Sequence, residues 1–378
     1  MVDVSNFKTP GQLIRHLLEQ RGWTQKVLAV VLNTTEPAIN QIVAGKRALS
    51  AEMAVLLGQV FSIPAEKFMD LQKAHELYLA RGLVQLDPLL EFRANLFGSL
   101  PVGEMIKRRW IDAEDVKQVE RVESALTKFF GVHKPEEIFS TVQPHAAKKT
   151  DVAGPTTLAQ QAWLLRVKHL AREIVVPRYS PDSCREAIKA LSGLLAAPEE
   201  ARHVPRILSE AGIRFVLVES LPKAKIDGAC LWLGETAPVI GMSLRFDRVD
   251  NFWFVLRHEL EHVLRQHGRV EPIIDTDIET AGQDVPEEER LANEAATAFC
   301  VPKKELDSFI ARKQPVFAER DILGFAARLR LHPGLVAGQL RYRLKRWDLF
   351  TKHLVKIRYA VAPGAVVDGW GDVAPVGH

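Results

Sequence analysis

Phe252-Trp253-Phe254-Val255-Leu256-Arg257-His258-Glu259-Leu260-Glu261-His262 is the stretch on which the reading of this chain turns. Its centre is His-Glu-x-x-His. A helix turns about 100° per residue, so positions four apart lie about 40° apart on one face. His258 and His262 can therefore aim both imidazoles at one ion, and neutral imidazole is a good zinc ligand at about 2.0–2.1 Å. Glu259 sits one position round and can reach a water on the metal without ligating the metal. Such a water has its pKa lowered towards about 7, and a carboxylate beside it can take the proton as the water attacks. The competing reading is a surface helix with two solvated histidines. Against it, Phe252 to Leu256 are almost wholly apolar, so the helix begins buried. A buried Glu beside two His needs a partner, and a metal supplies one.

A catalytic zinc site takes a third protein ligand and keeps a fourth position open. His267 is rejected as that ligand, because five residues after His262 it lies about 140° round the helix and faces away. The better candidate lies in Glu287-Glu288-Glu289-Arg290-Leu291-Ala292-Asn293, the acidic start of a second helix that ends before Pro302. Its small residues allow close approach to the first helix. Glu289 and Asn293 are four apart and share a face. Glu289 can complete a His-His-Glu set, and Asn293 can hydrogen-bond a ligand from behind. Glu287 and Glu288 read as ordinary helix-start acids, and Glu289 could be a third. The stretch Asp275 to Glu289 holds seven acids and no base, and most of it reads as a solvated loop.

From about Ile213 to Pro302 the chain resembles the ImmA/IrrE family of zinc metallopeptidases. The resemblance is carried by Asp250-Asn251-Phe252-Trp253-Phe254 before His258, and by Glu289-x-x-Ala292-Asn293 after it. It implies Zn2+ held by His258, His262 and Glu289, with Glu259 as the catalytic base. Glu261 stands where the family has Gly, and Arg257 precedes the motif. Both add charge near the site and leave a non-catalytic form open.

The first 70 residues read as short helices with tight connections. Gln12 to Gln20 and Gln25 to Leu32 carry helical spacing, with Thr24 as N-cap. Asn33-Thr34-Thr35 is a turn, Glu36 to Ala44 a third helix, and Ser50 caps a fourth; Pro64 opens a fifth. Two short helices joined by a tight turn are the helix-turn-helix signature, whose second helix enters the DNA major groove. Gly22-Trp23-Thr24-Gln25, Ile39 and Gly45-Lys46-Arg47 resemble the Cro/C1-type family, and most nearly HigA-type antitoxins. The resemblance implies that Gln25 meets a phosphate at a helix N-terminus. Thr35, Glu36 and Asn40 then face base edges, and Lys46 and Arg47 neutralise phosphates. Residues 1–50 carry six basic against three acidic side chains, which suits such a module.

Net charge of the whole chain is only +3, so any nucleic-acid surface must be local. With 47% hydrophobic and 26% charged residues, a core is available throughout and a disordered majority is excluded. No apolar run approaches the roughly 18–20 residues of a membrane span, and the start lacks the pattern of a signal peptide. Cys184, Cys230 and Cys300 are widely spaced and odd in number, which points to core residues in a reducing cytoplasm.

Residues 90–200 read as helices around a loop at 133–155, with no chemistry of their own, as a spacer or dimerisation unit. Strands are expected at Ile213–Glu219, Ala229–Leu233 and Pro238–Leu244. The basic run from Arg341 to Tyr359 reads as a solvated face or a second nucleic-acid contact, and the tail from Ala360 as disordered.

The expected architecture is thus α+β, mainly α. It comprises a five-helix domain at 1–80, a helical connector at 81–204, a zincin-like domain with a small sheet at 205–350, and a basic tail at 351–378. The expected function is a cytoplasmic, dimeric, antitoxin-like regulator on operator DNA with a zinc peptidase-like domain. A toxin or repressor protein would be its partner or substrate. The alternative is a non-catalytic protein whose second domain binds a toxin or ligand.

Overall fold

Side-chain caps set the first helices. Thr9, Thr24 and Ser50 lie in extended backbone, and their hydroxyls accept from the amides of Gln12, Val27 and Met53 at 3.1, 3.3 and 3.2 Å. They open α1 (Pro10–Arg21), α2 (Gln25–Val31) and α4 (Ala51–Phe61); α3 (Glu36–Val43) and α5 (Ala65–Leu83) complete the group. Gly22, at φ 64°, ends α1 in the left-handed region that glycine adopts without strain. Leu13, Leu17, Leu28, Ile39, Leu57 and Phe68 close one core.

This computed structural model describes residues 4–84, 87, 89–142, 148–149, 156–276 and 286–374. It divides into two units, Met1–Glu91 and Phe92–His378. The five helices above belong to the first.

The second unit is built on a mixed sheet. Its strands are β1 (Lys148–Lys149), β2 (Arg214–Val218), β3 (Ile226–Trp232), β4 (Pro238–Met242), β5 (Ile273–Thr276) and β6 (Val366–Asp368). They stand in the order β1-β5-β3-β4-β2-β6. β3 runs antiparallel to β4 and β5, while β2 is parallel to β4 and β6. Side chains alternate across a strand. Phe215 and Leu217 accordingly enter one core, and Val216 and Val218 the other. Both faces are covered, which is why β4 is buried at every residue.

One face carries α6 (Leu90–Ser99), α7 (Val102–Lys107), α8 (Val119–Phe130) and α9 (Leu158–Arg172), whose apolar residues share a core with the sheet. Polar stitches fix them: Trp163 Nε1 donates to the Val218 carbonyl at 2.9 Å, and Gln160 Nε2 to that of Ala224 at 2.8 Å. The other face carries α10 (Pro181–Ser192), α11 (Val204–Glu210), α12 (Val249–Leu264), α13 (Glu287–Cys300), α14 (Lys303–Lys313), α15 (Glu319–Leu329), α16 (Pro333–Leu344) and α17 (Arg358–Val361). The chain is mainly helical with a small mixed sheet, as its residue pattern predicts. None of the described helices is long and apolar enough to cross a membrane. All three cysteines are buried and free.

Two expectations need correction. The tail beyond Ala360 is ordered through Ala374: Val366–Asp368 adds a strand to β2. Buried Asp368 is what fastens it, accepting from Trp110 Nε1 at 2.9 Å and from Arg166 Nε at 2.6 Å. Asp275 belongs to β5, not to a solvated loop, whereas Asp277, Glu279 and Asp284 lie outside the described residues.

Removing one member of a buried ion pair strands the other charge, at a cost of about 3–5 kcal/mol. Asp368→Ala is therefore expected to destabilise the second unit by that amount in urea unfolding. An Arg166→Met, Asp368→Leu double variant should recover much of the loss; a double variant no more stable than the single would show that Asp368 acts otherwise.

Candidate metal centre and helix-turn-helix face

Helix α12 crosses beneath the sheet and is buried along nearly its whole length. Val255, Leu256 and Leu260 pack into the core, and the same turns carry His258, Glu259 and His262, each at 0% exposure. Apolar burial of the helix thus drags its polar residues out of water. Helix α13 lies along α12 with Ala292 and Ala296 buried between them, and this close approach delivers Glu289 and Asn293.

Four ligand-type side chains meet there. His258 Nε2 lies 3.0 Å from His262 Nε2, 3.2 Å from Glu289 Oε2 and 3.1 Å from Asp275 Oδ2. His262 Nε2 is 3.5 Å from Glu289 Oε2, and all four ligand atoms fall within 4.8 Å of one another. Bonds of about 2.0–2.1 Å to a tetrahedral ion require ligand atoms about 3.3 Å apart. The observed spacings bracket that value. The donor set, two imidazoles and two carboxylates in a dry site, suits a divalent cation, and this group could hold a metal ion.

The contacts behind the imidazoles aim them. Asn293 Oδ1 lies 3.1 Å from His258 Nδ1 and accepts its proton, which turns Nε2 towards the cluster. His262 Nδ1 lies 3.0 Å from His267 Nδ1. With His262 donating, His267 must accept as a neutral ring; burial first, and then His262, lower its pKa, which keeps it neutral. His267 therefore does not face away. Helix α12 stops at Leu264, Gln266 turns left-handed at φ 59°, and the chain folds back. The His267 amide then donates to the His262 carbonyl at 2.8 Å, and Trp232 Nε1 donates to the His267 carbonyl at 2.8 Å.

Glu259 is enclosed between α12 and β3. A Cβ at Gly228 would overlap its Oε1, so only glycine lets the strand pass this close. Burial, then Asp275 and Glu289, push the Glu259 carboxyl well above the usual carboxylate range. Burial alone would lower the pKa of His258, but Asp275 and Glu289 outweigh it and raise it to about 10. Burial would likewise raise Asp275, yet His258 and His262 hold it well below its ordinary value. Without a metal, then, the cluster keeps a proton on His258 as its counter-charge.

The two residues that depart from the resembled motif neutralise each other. Glu261 Oε2 pairs with Arg257 at 2.8 Å and its Oε1 with Arg265 at 2.6 Å. Burial alone would raise Glu261, but these two guanidinium bonds hold it below the carboxylate range.

In the N-terminal unit, α2 and α3 are joined by residues 32–35, with Asn33 at φ 49° making the turn. Ile39, Ile42 and Val43 of α3 are buried, which turns Glu36 and Asn40 to the exposed side. Thr35 precedes the helix, exposed and with no side-chain cap bond. Gln25 opens α2 half-buried, and Lys46 and Arg47 are exposed just past α3, their amides donating to the Gln41 carbonyl. All six expected residues thus lie in or beside the two-helix unit. Residues 14–68 match the helix-turn-helix family. This match supports a DNA-binding regulator. No curated protein matches the chain.

Two residues of the centre escape sequence reasoning. Asp275 is masked by its acidic neighbours, though the apolar pair Ile273-Ile274 before it is a strand signal. His267 is visible only once the helix end is known.

The cluster is expected to take one divalent ion per chain, measured by metal analysis of the purified protein. His258→Ala and His262→Ala should each abolish stoichiometric binding; retention in either would place the ion elsewhere. Binding must displace the His258 proton, so affinity should fall about tenfold per unit as pH drops below about 10.

Proposed function

We propose that this regulator carries a zinc-dependent peptidase-like domain that couples a signal to repression, by cleaving a partner or itself. The observation that carries this reading is the fully buried cluster of His258, His262, Glu289 and Asp275 with Glu259 beside it. His258, His262 and Glu289 would hold the zinc, with Asn293 and His267 fixing the imidazoles. When bound, zinc supplies a Lewis acid that makes water nucleophilic near neutral pH. Glu259 is the proton carrier: its carboxylate takes the proton of the attacking water and returns it to the leaving amine. For this Glu259 must be ionised, and a divalent cation offsets the negative charge of Asp275 and Glu289 that now opposes ionisation.

On DNA the chain acts as a homodimer at an inverted operator repeat. Gln25, Lys46 and Arg47 meet phosphates, and Thr35, Glu36 and Asn40 read bases, Glu36 favouring a cytosine amino group. A toxin or a repressor protein is the partner that the second unit would bind or cut. A second reading, a binding protein that cleaves nothing, is favoured by one observation: Glu259 has no exposed surface.

Glu259→Gln keeps the shape and removes the base. It should leave metal content, fold and DNA affinity unchanged while slowing any zinc-dependent cleavage by about 10²–10⁴-fold. Normal derepression by this variant in cells, with intact chain and partners in both proteins, would sink the peptidase reading. On DNA, Arg47→Ala should weaken binding to all sequences and reduce the salt slope by about 1, whereas Asn40→Ala should relax preference at one base. Equal loss on operator and random duplex for Asn40→Ala would remove it from base reading.

A further inference from the structure

The cluster contains one carboxylate more than a hydrolytic centre uses. A catalytic zinc has three protein ligands and an open position, whereas four protein ligands make a closed, structural type of site. His258, His262 and Glu289 supply three corners. Asp275 Oδ2, 3.1 Å from His258 Nε2 and within 4.8 Å of the other two ligand atoms, supplies the fourth.

The strand aims Asp275 there. Ile274 enters the core on the far face of the sheet, so its neighbour Asp275 points to the α12 side. Opposite it the ladder with β3 is irregular: Ile226 pairs with Thr276 but Gly228 with Asp275, so Asp227 is an extra residue on β3. A bulge of this kind re-aims side chains and is common beside active sites. Asp275 is 0% exposed, as are His258, His262 and Glu259. The ligand atoms Asp275 Oδ2 and Glu289 Oε2 are both buried. The strand is also short. It spans four residues, and β1, which flanks it, has two.

We infer that Asp275 is the fourth protein ligand of the metal and closes the centre, so that the domain as folded here is latent and opens to substrate only when β5 withdraws Asp275. This rests on the metal reading above and adds a regulatory element to it. Whatever displaces β5 would be the activating signal.

The full-length chain loaded with Co2+ tests this, because the visible bands of cobalt report coordination where zinc is silent. Acetohydroxamate is the probe for an open position. Wild type should take one Co2+ per chain and show no spectral response to acetohydroxamate. Asp275→Ala should bind Co2+ more than about 100-fold more weakly, beyond what loss of a partner behind a ligand costs, and should respond to the probe. Asp275→Ser, smaller and still polar, serves if the alanine variant does not fold. A wild-type response equal to that of the variants, with unchanged cobalt affinity, would overturn the fourth-ligand assignment and leave the metal reading standing. Wild type without stoichiometric cobalt or zinc would overturn both.

Discussion

A helix buried for the sake of its apolar residues has to bring its charges with it, and the second unit is arranged around that constraint. Trp253, Val255, Leu256 and Leu260 place α12 under the sheet. His258, Glu259, Glu261 and His262 come along, all with less than a tenth of their surface exposed. Unpaired, each would cost several kcal/mol. Every neighbour answers this demand. Arg257 and Arg265 take Glu261, Asn293 and His267 take the outer imidazole nitrogens, and Glu289 and Asp275 face the inner ones. Glu259 instead is buried beside acids, Asp275 and Glu289, which push its carboxyl up.

The sheet exists to hold this helix at fixed depth. Period-two alternation sends Cys230 towards α12 and Ala229 and Leu231 away from it, so β3 is bound to helices on both sides. Gly228 on the same strand leaves the room that Glu259 fills. Helices α6 to α9 cover the far face, and Arg166 with Trp110 draws in the C-terminal strand through Asp368. Precision at the centre thus depends on residues far from it in sequence.

What could be read beforehand follows the range of the interactions. Caps and periodicities are local: Thr24 and Ser50 announce their helices within four residues. The His258 and His262 pair is equally local, because one helical turn brings it together. Glu289 and Asn293 are legible because their own helix repeats the same spacing. Asp275 is not, since a strand of four residues inside an acidic stretch resembles solvated chain until β3 pairs with it. Nor is His267, because spacing arguments assume a continuing helix and α12 ends at Leu264. The β6 strand depends on a buried ion pair spanning 202 positions, which no window along the chain contains.

The same electrostatic account ties the metal to the fold itself. Against burial, Asp275 and Glu289 hold a proton on His258, while burial and the same two acids push the Glu259 carboxyl up. That arrangement leaves Nε2 of His258 and Nε2 of His262 3.0 Å apart, close enough that only one proton fits between them. A divalent cation replaces that proton with two charges in the same volume, and no equivalent set of donors exists in the unfolded chain. A divalent cation bound here would therefore add its binding energy to the stability of the second unit. Because Ala292 and Ala296 are buried where α13 packs on α12, that stabilisation would reach both helices.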